Sequence, residues 1–123
     1  MNIYCDGAGW NGKVSRYAIV YDGVVNVVSV EEEFTSNDME HKAVAEAVKI
    51  AGEGDTILSD SQLVVYQILG KYRVKELKFL PSVQYVRKKL LETGAKIKWI
   101  RREDNLAGHA LDGKLPPLDI NGV

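Results

Sequence analysis

Arg16-Tyr17-Ala18-Ile19-Val20-Tyr21-Asp22-Gly23-Val24-Val25-Asn26-Val27-Val28 is the stretch on which the architecture turns. Two runs rich in β-branched and aromatic residues flank an Asp-Gly pair, which readily adopts the positive backbone angles of a tight hairpin. Upstream, Asn2 to Asp6 reads as a further strand that ends before the glycine-rich stretch Gly7-Ala8-Gly9-Trp10-Asn11-Gly12. The runs Val14 to Asp22 and Val24 to Phe34 then complete an antiparallel meander. Downstream the period changes: Met39, Ala43, Val44, Ala47, Val48, Ile50 and Ala51 recur at helical spacing, with Asn37 or Ser36 as the expected cap. Asp55 to Asp60 reads as a short buried strand followed by a helix from Ser61 to about Leu69. Pro81 opens another helix that Gly94 closes, Ala95 to Ile100 forms a fifth strand, and a short helix spans about Asp104 to Leu111. The order β-β-β-α-β-α-α-β-α predicts an α/β fold with a mixed sheet, antiparallel first and joined by parallel crossovers afterwards.

Composition bounds this reading. The chain has 123 residues, 46% hydrophobic and 27% charged, which suits one domain around a single core. We place that domain at residues 1–112 and treat 113–123 as a C-terminal tail without assignable pattern. Apolar runs are far shorter than the roughly 20 residues of a membrane span, and no basic segment leads into an apolar one near Met1. The expectation is therefore a soluble, cytoplasmic monomer with no membrane partner. A lone Cys5 excludes an internal disulfide framework and a multi-cysteine zinc site, and reads as a small buried hydrophobe.

The net charge of −1 conceals a strong asymmetry. Residues 1–70 carry four Lys/Arg against eleven Asp/Glu, net −7, whereas residues 71–102 carry eleven against two, net +9. Such a chain can hold a cation on one side and polyanion phosphates on the other.

Three acidic residues stand out. Asp6 and Asp60 each close a predicted strand; if those strands are parallel neighbours, both project at the carboxyl edge, where open α/β sheets bind ligands. Taken singly, Asp6 also reads as a turn residue and Asp60 as a helix cap. Glu40 is the sharper anomaly, because it falls near the centre of the apolar arc, between Ala47 and Ala51. A carboxylate aimed at a core must be neutralised, paired or bound to a cation, and Lys and Arg are scarce nearby in sequence. Three converging carboxylates repel one another unless a divalent ion compensates. All-oxygen ligation suits Mg²⁺ or Mn²⁺ and, with them, phosphoryl-transfer chemistry, in which two ions activate water and stabilise the leaving oxygen.

Tyr4-Cys5-Asp6-Gly7-Ala8-Gly9, Thr35-Ser36-Asn37-Asp38-Met39-Glu40 and Ser59-Asp60-Ser61-Gln62-Leu63-Val64 together resemble type 1 ribonuclease H in order and context. The resemblance runs from Asn2 to about Leu111. It includes Gly70-Lys71-Tyr72-Arg73-Val74-Lys75 and Arg102-Glu103-Asp104-Asn105, similar to the compact branch without a long basic protrusion. It implies a ribonuclease H-like fold, a five-stranded mixed sheet with flanking helices, and endonucleolytic cleavage of the RNA strand of an RNA/DNA hybrid with two Mg²⁺ or Mn²⁺ ions. The resemblance also implies products with 5′-phosphate and 3′-hydroxyl ends. By match, Asp6, Glu40 and Asp60 are the ligands, while backbone at Gly7, Ala8 and Gly9, together with Asn37 and Gln62, meets the minor groove, where 2′-hydroxyls mark RNA. Asn37 also reads as a cap and Gln62 as an ordinary first-turn residue.

One position departs from the family pattern. Asn105-Leu106-Ala107-Gly108-His109-Ala110-Leu111 places His109 where a fourth Asp is expected, so His109 is counted with the catalytic metal ligands. A neutral imidazole suits Mn²⁺ better than Mg²⁺, and product release or proton transfer are its alternative roles. Asp104 and Asp112 rank lower as substitutes. Within the positive segment Lys71 and Arg73 lead the expected phosphate contacts, which position the duplex without specifying sequence. Trp10 and Trp99, beside strands, read as core, with stacking on sugars or bases as the alternative. His41 falls outside the apolar arc and reads as solvated. The competing functional readings are a non-catalytic hybrid-binding relative and a metal nuclease acting on DNA junctions.

Overall fold

The computed structural model describes residues 1–114; the predicted tail beyond Lys114 lies outside the described residues. Strands β1 (Asn2–Ala8), β2 (Ser15–Tyr21) and β3 (Val24–Val30) precede α1 (Ser36–Val48), β4 (Thr56–Ser59), α2 (Gln62–Ile68), α3 (Leu80–Thr93), β5 (Lys96–Trp99) and α4 (Leu106–Leu111). The five strands form one sheet in the order β3-β2-β1-β4-β5. β2 is antiparallel to both neighbours, while β1–β4 and β4–β5 are parallel. This is the mixed sheet that the sequence predicts. Asp22, with φ of 50°, and Gly23, with φ of 79°, make the β2–β3 turn.

Side-chain alternation divides the sheet between two cores. Ile3, Cys5, Tyr17 and Ile19 face α1, where they meet Ala43, Val44, Ala47 and Val48, and the same core takes in Val64, Val65, Val83 and Val86 from α2 and α3. On the opposite face Ala18 and Val20 pack against Ala107 and Leu111 of α4. The small residues of α1 let the helix lie close on β1. Gly7 is the tightest point, since a Cβ there would come within 2.3 Å of the Met39 carbonyl carbon.

Local signals differ from expectation at three places. The α1 cap is Thr35, not Ser36 or Asn37: its hydroxyl accepts from Asp38 N–H while the Asp38 carboxylate accepts from Thr35 N–H, a reciprocal capping box. β1 continues through Gly7 to Ala8, so Asp6 sits inside the strand and not at its end. His41 is buried, 3% exposed, and stacks on Phe79 at 4.2 Å between ring centroids. A flat imidazole covered by an aromatic ring from outside α1 escapes a helical-wheel argument, which sees only one element.

Candidate metal centre and active site

Register does the positioning. β1 and β4 pair in parallel with Cys5 opposite Ser59, so Asp6 and Asp60, each one residue further on, emerge side by side. Glu40 reaches them from the first turns of α1, because Gly7 allows the helix to press onto β1. Asp6, Glu40 and Asp60 each offer a carboxylate oxygen within 4.8 Å of the others.

The surroundings make this an uncomfortable place for three charges. Asp6 is 1% exposed, and its Oδ1 is buried with no hydrogen-bond partner among the described residues. Burial first and the Asp6 charge second push the Glu40 carboxyl up to about 9, against a hydrogen bond of 2.7 Å donated by Gly7 N–H to Oε1. Burial, followed by the charge of Asp60, raises Asp6 to about 6, while Glu40 and Arg102 oppose the rise. The Cys5 thiol behind them is raised by its own burial and by all three carboxylates, so it is an inert core group.

Arg102 and Asn105 complete the cluster. Arg102 Nη1 lies 3.5 Å from Asp60 Oδ2 and 3.8 Å from Asp6 Oδ2, so the charge compensation that is missing near Glu40 in sequence arrives from the far end of the chain. Asn105 is fully buried and its Nδ2 donates to both Cys5 O and Asp60 Oδ2, tying α4 to β1 and to the site. Gly108 faces the carboxylates directly, with a hypothetical Cβ 3.2 Å from Asp6 Oδ2. The sequence reading quotes Arg102, Asn105 and Gly108 only within motif strings and assigns none of them to the acidic cluster. No local pattern marks them, because their partners lie up to 100 positions away.

Three hard oxygen donors in mutual reach, one with a buried oxygen still unpartnered, fit a divalent cation of the Mg²⁺ or Mn²⁺ type. His109 is not a member of this grouping; it is half-buried on α4, next to Gly108.

The remaining expected residues fall around this centre. Gly7 and Ala8 belong to β1, and Gly9 packs against the start of α1, with a Cβ there only 2.6 Å from Ser36 N. Asn37 is half-buried in the first turn of α1, and Gln62 is exposed in the first turn of α2. Asn37, Lys71, Arg73 and Lys75 line one groove of about 540 Å³. Trp10 is not core: it is 37% exposed and lines a separate groove with Phe34 and Ser36. Trp99 does pack against the main core and donates from Nε1 to Asp60 O at 3.1 Å. Asp104 pairs with Arg101, and Asp112 is exposed.

The RNase H family model matches residues 1–106. The chain belongs to that family. As a ribonuclease H it shares its fold with solved structures. The N-terminal RNase H domain of a Mycobacterium tuberculosis protein, solved as a fusion with maltose-binding protein, superposes with a TM-score of 0.76 at 18% identity, covering 99% of this chain and 97% of that one. RNase H1 from the halophilic archaeon Halobacterium salinarum gives 0.70 at 21% identity, covering 91% and 97%. LC11-RNase H1 in complex with an RNA/DNA hybrid gives 0.67 at 22% identity, covering 85% and 88%. No curated protein matches the chain by sequence. Among the described residues no helix is long and apolar enough to cross a membrane.

Proposed function

We propose that this ribonuclease H hydrolyses the RNA strand of RNA/DNA hybrids endonucleolytically, giving 5′-phosphate and 3′-hydroxyl ends. The observation that carries the reading is the convergence of Asp6, Glu40 and Asp60 within 4.8 Å in a chain of this family. A fold neighbour solved with an RNA/DNA hybrid supports the choice of substrate.

Asp6, Glu40 and Asp60 would hold divalent ions, Mg²⁺ or Mn²⁺, and two of them when loaded, with His109 offering a neutral nitrogen from α4. When bound, such ions lower the pKa of water and neutralise charge on the phosphate and the leaving oxygen. The chain's own groups prepare the site. Gly7 N–H and Asn105 Nδ2 each fix one carboxylate. Gly7, Ala8 and Gly9 backbone with Asn37 and Gln62 face the minor groove, where a 2′-hydroxyl is the only group that distinguishes RNA. Lys71 and Arg73 contact backbone phosphates, so binding is independent of sequence and weakened by salt.

The test is cleavage of an end-labelled hybrid with Mg²⁺ or Mn²⁺, with Asp60→Asn as control and duplex DNA, duplex RNA and a DNA junction as competing substrates. Cutting confined to the RNA strand of the hybrid and lost in Asp60→Asn supports the proposal. Hybrid binding without cleavage under either ion, or cutting of the junction instead, overturns it.

A further inference from the structure

Among the described residues, two buried side-chain atoms away from the acidic cluster have no hydrogen-bond partner: Nε2 of His41 and Oε1 of Gln67. Their chemistry is complementary, because a neutral imidazole offers one N–H and an amide oxygen accepts. His41 sits on α1, one residue after Glu40, and is held flat against Phe79 with ring planes 17° apart. Gln67, 4% exposed, lies near the end of α2. Phe79, on which His41 stacks, lines the same groove as Gln67.

The other end of the same amide points to the basic segment. Gln67 Nε2 donates to Arg73 O at 3.4 Å. The segment is anchored from its root as well: Lys71 N–H and Tyr72 N–H both donate to Tyr66 O, at 2.8 and 3.0 Å. Arg87 locks the end of α2 by donating to Gln67 O at 2.6 Å and to Ile68 O at 2.9 Å. One buried side chain therefore bonds the segment that carries Lys71, Arg73 and Lys75 and lines one groove with Asn37, from the helix that carries Glu40. It lies, 4% exposed, in the wall of the groove that Lys71, Arg73 and Lys75 also line.

We propose that Gln67, backed by His41, is a positioning residue that holds the basic segment 71–75 at a set place relative to the carboxylates. Lys71 and Arg73 then meet the phosphates of the hybrid while the RNA strand lies over Asp6, Glu40 and Asp60. This rests on the phosphate-binding role of Lys71 and Arg73 given above. Removing the amide leaves the charges present but unordered, and the cost of ordering them appears in binding and not in the chemical step.

Gln67→Leu removes the amide at similar volume, and His41→Phe removes Nε2 while retaining a ring to stack on Phe79. Hybrid affinity is read by fluorescence anisotropy across a salt series without divalent ions, KM and kcat in the cleavage assay, and folding by thermal denaturation. For Gln67→Leu the expected outcome is an affinity loss of about fivefold, a salt slope reduced by about one, and a raised KM with kcat held within about twofold. His41→Phe shifts the same readouts less, and Gln67→Leu adds nothing in a Lys71→Ala/Arg73→Ala background. Wild-type affinity and slope in a folded Gln67→Leu protein overturn the proposal, as does an equal loss in the Lys71→Ala/Arg73→Ala background. Should Gln67→Leu fail to fold, unchanged affinity and slope in His41→Phe overturn it. If Lys71→Ala/Arg73→Ala itself binds like wild type, the phosphate-binding reading falls, and this proposal with it.

Discussion

Gly7 N–H donates a 2.7 Å hydrogen bond to Glu40 Oε1, joining a strand to a helix 33 positions later. The bond exists because Gly7 has no side chain. A Cβ would stand 2.3 Å from the Met39 carbonyl carbon and 2.4 Å from Glu40 N, both of them backbone atoms that cannot rotate away. Gly7→Ala therefore has to lift α1 from β1. We expect a loss of about 3 kcal/mol or more in urea denaturation, with Glu40 displaced and cleavage abolished.

The raised Glu40 carboxyl gives stability a definite pH dependence. Its folded value of about 9 lies above the ordinary 4.5, so between those values the folded state keeps a proton that the unfolded chain has released. Without divalent ions, stability from this group is full below about 4.5 and falls as pH rises towards about 9. Asp6, raised from 3.8 to about 6, contributes with the same sign over a narrower range. Glu40→Gln should flatten this slope and leave the protein more stable than wild type at pH 9 in EDTA, while eliminating cleavage. Urea midpoints at pH 5 and pH 9 decide it; parallel slopes in the two proteins would contradict the assignment.

Divalent ions reverse the same trend. They bind the ionised carboxylates, so association must release protons at pH 7, and affinity must increase from pH 6 to pH 8. Calorimetry of Mn²⁺ binding in buffers of different ionisation enthalpy measures that release directly. Asp60→Asn should weaken the binding by more than tenfold.

Asn105 supports the site from beneath. Replacing it with alanine removes two donated bonds, to Cys5 O and Asp60 Oδ2, and also the side-chain cap of α4, where its Oδ1 accepts from Ala107 N–H. A destabilisation of about 2–4 kcal/mol is expected. An effect below 1 kcal/mol in a denaturant titration would mean that water takes over these roles.

His109→Asp restores an acidic group at the one position that departs from the family pattern. Mg²⁺-supported cleavage should rise several-fold relative to Mn²⁺-supported cleavage. Identical rates for the two proteins across pH 6–9 would place His109 outside the reacting centre, beside Gly108 and no nearer.

Much of this molecule is written locally. Asp22-Gly23 specifies the hairpin, the apolar period from Met39 to Ala51 specifies α1, and Pro81 and Gly94 bracket α3, because each depends only on backbone preferences and neighbours a few positions apart. The same locality exposes Asp6, Glu40 and Asp60 as misplaced charges. Tertiary structure alone decided what surrounds them. Arg102, Asn105 and Gly108 enter the cluster from the other end of the chain, His41 is buried by Phe79 and not by its own helix, and Trp10 stays exposed where a strand-adjacent aromatic was expected in the core. Those outcomes depend on which surfaces meet after the β1–β4 register is set, and pairing energies between distant groups leave no periodic trace in the sequence.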